Sequence, residues 1–142
     1  MEKNKIELKN GIRIFGLIGG FFLLFVAIDQ ADNTYLRMLN FFFVGYGINR
    51  SISSKVKQSS DNYLEALASG MLTGVIGVLL SIIGLMAYFA LLGNAIDVAD
   101  FAPSFIAGDV VSVFPYCFAL LIEGIASCAV TSLLLMQYWK KN

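Results

Sequence analysis

SGMLTGVIGVLLSIIGLMAYFALLG, the stretch at residues 69–93, contains no charged residue. It is longer than the roughly 20 helical residues that cross a hydrocarbon core of about 30 Å. A helix that is apolar on every side is stable in lipid or in the core of a large protein, and this chain is short. Three further apolar stretches are bounded by charges or turn residues, so the sequence predicts an all-α bundle of four transmembrane helices. The spans cover residues 12–29, 34–52, 69–93 and 110–139.

The composition agrees with one membrane domain over residues 1–142. Hydrophobic residues make up 58% of the chain and the mean hydropathy is +0.75, which is too apolar for a soluble domain. Ten basic and ten acidic residues cancel to zero net charge, so no bulk electrostatic attraction to nucleic acid is expected. The partner that the composition predicts is the lipid bilayer.

The placement of the charges predicts the orientation of the spans. Basic residues precede the first span, follow the second and follow the fourth, whereas the two other connections carry aspartates. By the positive-inside rule both termini lie in the cytoplasm, and the chain is a multi-pass protein of the inner (cytoplasmic) membrane. The basic residues in these three segments are Lys3, Lys5, Lys9, Arg13, Arg50, Lys55, Lys57, Lys140 and Lys141. The aspartates in the two other connections are Asp29, Asp32, Asp97, Asp100 and Asp109.

The second span is the shortest. Its apolar run contains Asn40 and is closed by Arg37 and Arg50, so it needs its flanking residues to cross the bilayer. We still predict a span here, because without it the basic segment that follows would lie on the opposite side from both termini.

Small residues recur along the third span at alternating spacings of four and three. Side chains at this spacing share one helix face, and small residues let membrane helices approach closely. The first span offers a shorter match in Gly16 and Gly20. We interpret both sets as helix-packing residues, with a pore-lining face as the alternative and the origin of the partner helix left open. The stripe in the third span consists of Gly70, Gly74, Gly77, Ser81 and Gly84.

Glu123 is the leading candidate for a functional side chain. It lies near the middle of the fourth span, where an ionised carboxylate costs roughly 2.5 kcal/mol or more. Projection at 100° per residue places Tyr116 and Ser127 on its side and Cys128 opposite, which predicts an inward polar face. With Asn40 of the second span, these residues form a candidate proton or ion site.

Two interpretations of Glu123 remain open. A kink at Pro115 together with a midplane acid is typical of transporters and proton pathways. Alternatively, a protonated Glu123 donates a hydrogen bond to the backbone or to Asn40 and fixes the bundle.

The sequence lacks the common catalytic motifs. The chain has no histidine, no Cys-x-x-Cys pair and no phosphate-binding glycine loop. Its two cysteines, Cys117 and Cys128, lie about 16 Å apart along one helix, too far to bridge. We therefore expect a protein that is not an enzyme and that has no cofactor and no metal site.

Two segments carry a family resemblance. The lead into the third span, residues 62–70, and the end of the fourth, with Glu123-Gly124 and residues 136–140, resemble small bacterial four-helix membrane proteins that have no assigned activity. The resemblance implies a fold and no mechanism.

Three hypotheses about function follow. The first is a structural or accessory membrane protein that associates with itself, as a homo-oligomer, or with a larger membrane complex through small-residue helix packing. The second is a small channel or transporter that uses Glu123 for proton or cation movement. The third is a membrane-perturbing effector or its immunity partner.

Overall fold

A computed structural model describes residues 5–28, 35–58, 62–92 and 113–140, and within these ranges the chain is all-helical. The predicted all-α fold with four helices is confirmed. The four helices are α1 (Lys5–Ala27), α2 (Tyr35–Gln58), α3 (Tyr63–Leu92) and α4 (Val113–Lys140). Residues 94–109, which connect the third and fourth predicted spans and include aspartates and aromatic residues, lie outside the described residues.

Consecutive helices run antiparallel. Asn10 of α1 bonds to Ser51 of α2, while Phe21 further along α1 packs against the earlier residue Phe43 of α2. Residue pairs between α2 and α3 and between α3 and α4 show the same reversal: Ile52 with Gly70, Ile48 with Gly74, Cys128 with Gly74 and Gly124 with Val78. The starts of α1 and α3 therefore lie at the same end as the last turns of α2 and α4. We call this end, which carries Lys5, Lys55, Lys57 and Lys140, the basic end.

The helices α2 and α3 form the centre of the bundle. The α3 helix packs against each of the other three, α2 does the same, and both flanking helices make their main contacts with this central pair. Ile14 of α1 is fully buried and lies between two glycines, Gly47 of α2 and Gly77 of α3. A methyl group added to Gly77 would approach Ile14 Cγ2 to 2.7 Å, and one added to Gly47 would overlap the same side chain. Three helices thus meet at one isoleucine because two of them have no side chain there.

The small-residue stripe of α3 faces the other helices of its own chain. A Cβ on Gly70 would lie 2.8 Å from Ile52, one on Gly74 would lie 2.6 Å from the Cys128 sulfur, and one on Gly84 would lie 2.9 Å from Phe15. The stripe residue Ser81 is half-buried, and its hydroxyl donates a hydrogen bond to the Gly77 carbonyl at 2.8 Å. The stripe is therefore used for close packing within the bundle.

The two glycines predicted to pack in the first span behave differently. A Cβ at Gly16 or Gly20 would meet nothing within 4 Å, so neither glycine makes a close approach within the described chain. The close contacts of α1 are made instead by Gly11, against Ile76, and by Ile14.

The start of α1 differs from that of the first predicted span. The α1 helix begins at Lys5, so Glu7 and Asn10 belong to the same helix as the first apolar span. The described part of α4 begins at Val113, two residues before Pro115. The kink expected at Pro115 involves the preceding turn, and that turn lies outside the described residues.

Three of the helices are long and apolar enough to cross a membrane. Among the described residues these are Lys5–Ala27, Tyr63–Leu91 and Val113–Trp139. The α2 helix does not reach the same hydropathy because polar and basic residues fill its second half. The protein is thus a helical membrane-type bundle in which α2 differs from its neighbours.

Candidate functional site

Glu123 lies on the outside of the bundle. Its side chain is exposed, while the next residue, Gly124, packs against Val78 of α3. Successive helix residues differ by 100°, so a helix that turns Gly124 inward turns Glu123 outward. Cys128, expected on the lipid side, is fully buried. The predicted inward face centred on Glu123 is therefore wrong for a single chain, because small size at Gly124 and Cys128, rather than polarity, decides which side of α4 packs.

The other residues of the predicted ion site do not gather around Glu123. Tyr116 is buried, at 7% exposure, in a cluster with Phe89 of α3, and Ser127 is half-buried. Asn40 is half-buried and lies two turns before Gly47, on the side of α2 that faces α1 rather than α4. The described structure thus separates Asn40 from the α4 residues with which it was grouped.

A buried acid and a lysine meet at the basic end instead. Glu7 of α1 is only 3% exposed, and its Oε1 accepts a hydrogen bond from the Ser69 hydroxyl of α3 at 2.7 Å. The Lys55 ammonium of α2 lies 3.5 Å from the same oxygen. It also lies 3.5 Å from Glu65 Oε1, on a side chain that is 43% exposed. One ammonium therefore serves a buried carboxylate and a partly exposed one, and together with Ser69 it connects three helices.

A second set of hydrogen bonds continues inward from this pair. The Asn10 side-chain amide donates to the Ser51 hydroxyl at 2.8 Å, and the Ser51 and Thr73 hydroxyl oxygens lie 2.7 Å apart. Thr73 also donates to the Ser69 carbonyl at 2.8 Å. We call Glu7, Asn10, Ser51, Lys55, Ser69 and Thr73 the buried polar network.

The network satisfies most of its polar atoms, as burial away from water requires. The exception is Glu7 Oε2, which is buried and has no hydrogen-bond partner in the described part of the chain. Thr131 Oγ1 and Ser132 Oγ of α4 are buried without a partner in the same sense. Removing one partner of a buried ion pair costs more than the pair contributes, so the network fixes how α1, α2 and α3 align.

The basic end has one further tie, between α2 and α4. The indole Nε1 of Trp139 donates to Asn49 Oδ1 at 2.9 Å. A half-buried indole with a polar partner is typical of tryptophan residues at a membrane interface.

Sequence reasoning missed the network because it began the first span at residue 12, after Glu7 and Asn10. The missing signal is the spacing of Glu7, Asn10 and Ile14, which places two polar residues on the same helix face as a core isoleucine. Ser51 and Lys55, four residues apart, give the matching pattern on α2.

The buried polar network can align helices, and its residues include no cluster of metal-ligating side chains. No group of three or more His, Cys, Asp or Glu side chains that could hold a metal ion occurs among the described residues. Comparison with protein-family models, curated proteins and solved structures found no match. The resemblance to small bacterial four-helix membrane proteins stays a prediction.

We predict that Lys55→Met lowers the free energy of unfolding by about 3 kcal/mol, because it leaves the buried Glu7 carboxylate without its counter-charge. The matched control Glu65→Gln removes the exposed partner of the same lysine and should cost less than about 1 kcal/mol. Reversible unfolding in mixed micelles, followed by circular dichroism, measures both. Equal small losses would contradict a role for the Glu7–Lys55 pair in holding the helices.

Proposed function

We propose that the protein is a structural or accessory membrane subunit: a four-span protein of the inner (cytoplasmic) membrane, with both termini cytoplasmic, that assembles with further copies or with a larger membrane complex. The starting point is the all-helical bundle in which α1, α3 and α4 are long and apolar enough to span a bilayer. The exposed surface of α2 supports the fourth span, the distribution of the charges supports the orientation, and the exposure of Glu123 supports the assembly.

The outward surface of α2 supports a fourth span. The helix has 24 residues, so it is about 36 Å long and can cross the hydrocarbon core. Its low hydropathy comes partly from Ser51 and Lys55, which belong to the buried polar network. Among the α2 side chains that the structure describes, residue 38 onward, the exposed ones before Arg50 are large and apolar or aromatic: Met38, Phe41, Phe42 and Tyr46.

The basic end supports the orientation. The antiparallel packing brings the exposed cations of α1 and α2 to the same end of the bundle, although they are far apart in sequence. The positive-inside rule then favours a cytoplasmic basic end and cytoplasmic termini. The exposed cations are Lys5, Lys9, Arg13, Arg50 and Lys57.

The observation that carries the assembly proposal is the exposure of Glu123. It lies about 15 Å along α4 from Val113 and about 24 Å from Trp139, well inside an apolar helix. Ionisable side chains within membrane spans nearly always face protein or water, because contact with acyl chains costs roughly 2.5–3.5 kcal/mol. An exposed glutamate here is explained if another membrane helix covers this side of α4.

The packing of α3 excludes its glycine stripe as the surface that binds this additional helix. Gly70, Gly74, Gly77 and Gly84 are covered by side chains of their own chain, so the stripe is not a free surface for association. Two exposed side chains near Glu123, Ile122 and Val130, are large and apolar. We therefore place the interface on the Glu123 side of α4.

Transport through Glu123 is the competing proposal. An exposed carboxylate lines no path inside one bundle, so conduction would require several copies arranged with their α4 helices around a shared pore. The two proposals differ in whether Glu123 is needed for assembly alone or for ion flux as well.

The topology is tested by labelling single cysteines in a background that lacks Cys117 and Cys128. A cysteine at Ser59 or at Asn142 should react with a membrane-impermeant maleimide only after the cells are permeabilised, and one at Asp32 should react in intact cells. The same response at Ser59 and Asp32 would contradict the passage of α2 through the membrane.

The assembly is tested by Glu123→Leu on native gels in mild detergent. We expect the assembled fraction to fall about tenfold, which corresponds to the loss of roughly 1.4 kcal/mol of interhelical hydrogen bonding. The matched control Ile122→Leu changes an exposed apolar neighbour and should leave migration unchanged. A wild-type chain that migrates as a lone monomer would contradict the proposal. Proton or cation flux in proteoliposomes that is lost in Glu123→Gln would favour transport.

A further inference from the structure

Two exposed arginines, Arg13 of α1 and Arg50 of α2, lie near the seam between these two helices. The Arg13 guanidinium donates to Asn10 Oδ1 at 3.3 Å, and the amide of the same asparagine donates to Ser51 Oγ of α2. Arg50 directly precedes Ser51, and both arginine side chains are exposed. The hydrogen bonds through Asn10 therefore hold Arg13 next to the turn of α2 that presents Arg50.

Both arginines lack an acidic partner in the described part of the chain. The contact of Arg13 is the neutral Asn10, and that of Arg50 is the Tyr46 hydroxyl at 3.4 Å. Of the described carboxylates at this end, Glu7 and Glu65 are both paired with Lys55. The described part of the bundle therefore offers neither guanidinium group a counter-charge.

The positions of the two arginines along their helices correspond to the depth of lipid headgroups in a bilayer. Arg13 lies about 12 Å along α1 from Lys5, and Arg50 lies about 12 Å along α2 from Gln58. The Arg13 side chain extends toward the basic end, to Asn10, whereas the Arg50 side chain extends along α2 in the other direction, to Tyr46. Both side chains are exposed, and an exposed arginine about 12 Å from a helix end can reach the membrane interface by rotating along the helix surface. Phosphate is the anion found there, and the planar guanidinium binds phosphate with two parallel hydrogen bonds.

Beyond the arginines, α1 presents an elongated open surface along which an acyl chain can lie. Lys9, Arg13, Gly16 and Gly20 follow one another at spacings of four, three and four, so they share one face. The space where Cβ atoms of Gly16 and Gly20 would lie is open, and Leu24, 55% exposed, stands beside it. A shallow apolar groove therefore runs from the two arginines toward the other end of the bundle.

We propose that this surface binds one anionic phospholipid, whose phosphate contacts Arg13 and Arg50 and whose acyl chain lies along Gly16 and Gly20. Charge complementarity selects the headgroup, since the two unpaired guanidinium groups attract an anion and repel a basic partner. The groove selects a lipid over a soluble phosphate, because only a lipid fills it. Basic pockets between membrane helices on the cytoplasmic side bind anionic headgroups in this way.

The test measures the lipid that stays with the purified full-length chain. The protein is equilibrated in mixed micelles with equal amounts of phosphatidylglycerol and phosphatidylcholine, and the retained lipids are quantified by native mass spectrometry. We expect about a tenfold preference for phosphatidylglycerol, lost in the double variant Arg13→Gln/Arg50→Gln. The charge-matched control Lys57→Gln/Lys140→Gln changes two lysines of the basic end and should keep the preference. An equal loss in both double variants would overturn the proposal, since it would show attraction by net charge alone.

A second pair of variants keeps the test decisive if the arginine variant is unstable. Gly16→Leu/Gly20→Leu fills the groove at two exposed positions where an added Cβ would meet nothing within 4 Å, so its unfolding midpoint should be close to that of the wild type. We expect it to retain several-fold less phosphatidylglycerol, and unchanged retention would overturn the acyl-chain site. Added inorganic phosphate at millimolar concentration should not displace the lipid. Displacement by phosphate alone would show a soluble-anion site and would also overturn the proposal.

Discussion

The insertion of Ile14 between Gly47 and Gly77 is the contact on which the arrangement of the bundle depends. Helices in lipid gain no hydrophobic free energy by associating, so their stability comes from close packing and from interhelical hydrogen bonds. The two glycines allow α2 and α3 to approach the same isoleucine, which is fully buried. This contact sets the rotation of α1 about its axis. Every other feature of α1, including which polar residues face inward and which face lipid, follows from that rotation.

The same rotation sorts the polar residues of α1 into two groups with different roles. Glu7 and Asn10, on the Ile14 side, enter the buried polar network, where Ser69 and Lys55 compensate a carboxylate that would otherwise be costly to bury. Arg13 is turned to the edge of this face and stays exposed, and it has no acidic partner among the described residues. Because Lys55 pairs with both Glu7 and Glu65, the proposed phospholipid would supply the anion for Arg13 and Arg50.

The sequence was enough to predict the helical fold, because long charge-free stretches have few alternatives in lipid, and the structure agrees on four helices. It was not enough to predict which side of each helix faces inward. Hydrophobic periodicity is weak when both lipid and core are apolar, so the projection of α4 favoured polar Glu123 over small Gly124 as the inward residue. The α3 glycines, at spacings of four and three, make close contacts, whereas Gly16 and Gly20, four residues apart, face open space. Spacing alone therefore does not predict which glycines pack. The network was missed because its partners come from three helices, and only their packing brings Glu7 to Lys55.

The most direct measurement is an engineered disulfide between positions 14 and 77. A Cβ on Gly77 would lie 2.9 Å from the Ile14 Cβ, so a small relaxation brings Ile14→Cys and Gly77→Cys to bonding distance in a background without the native cysteines. We predict rapid, nearly complete intramolecular cross-linking under mild oxidation, seen as a mass loss of two hydrogen atoms, and little cross-linking for Gly16→Cys with Gly77→Cys. Efficient cross-linking of the second pair with none in the first would contradict the rotation of α1 and with it the arrangement of the whole bundle.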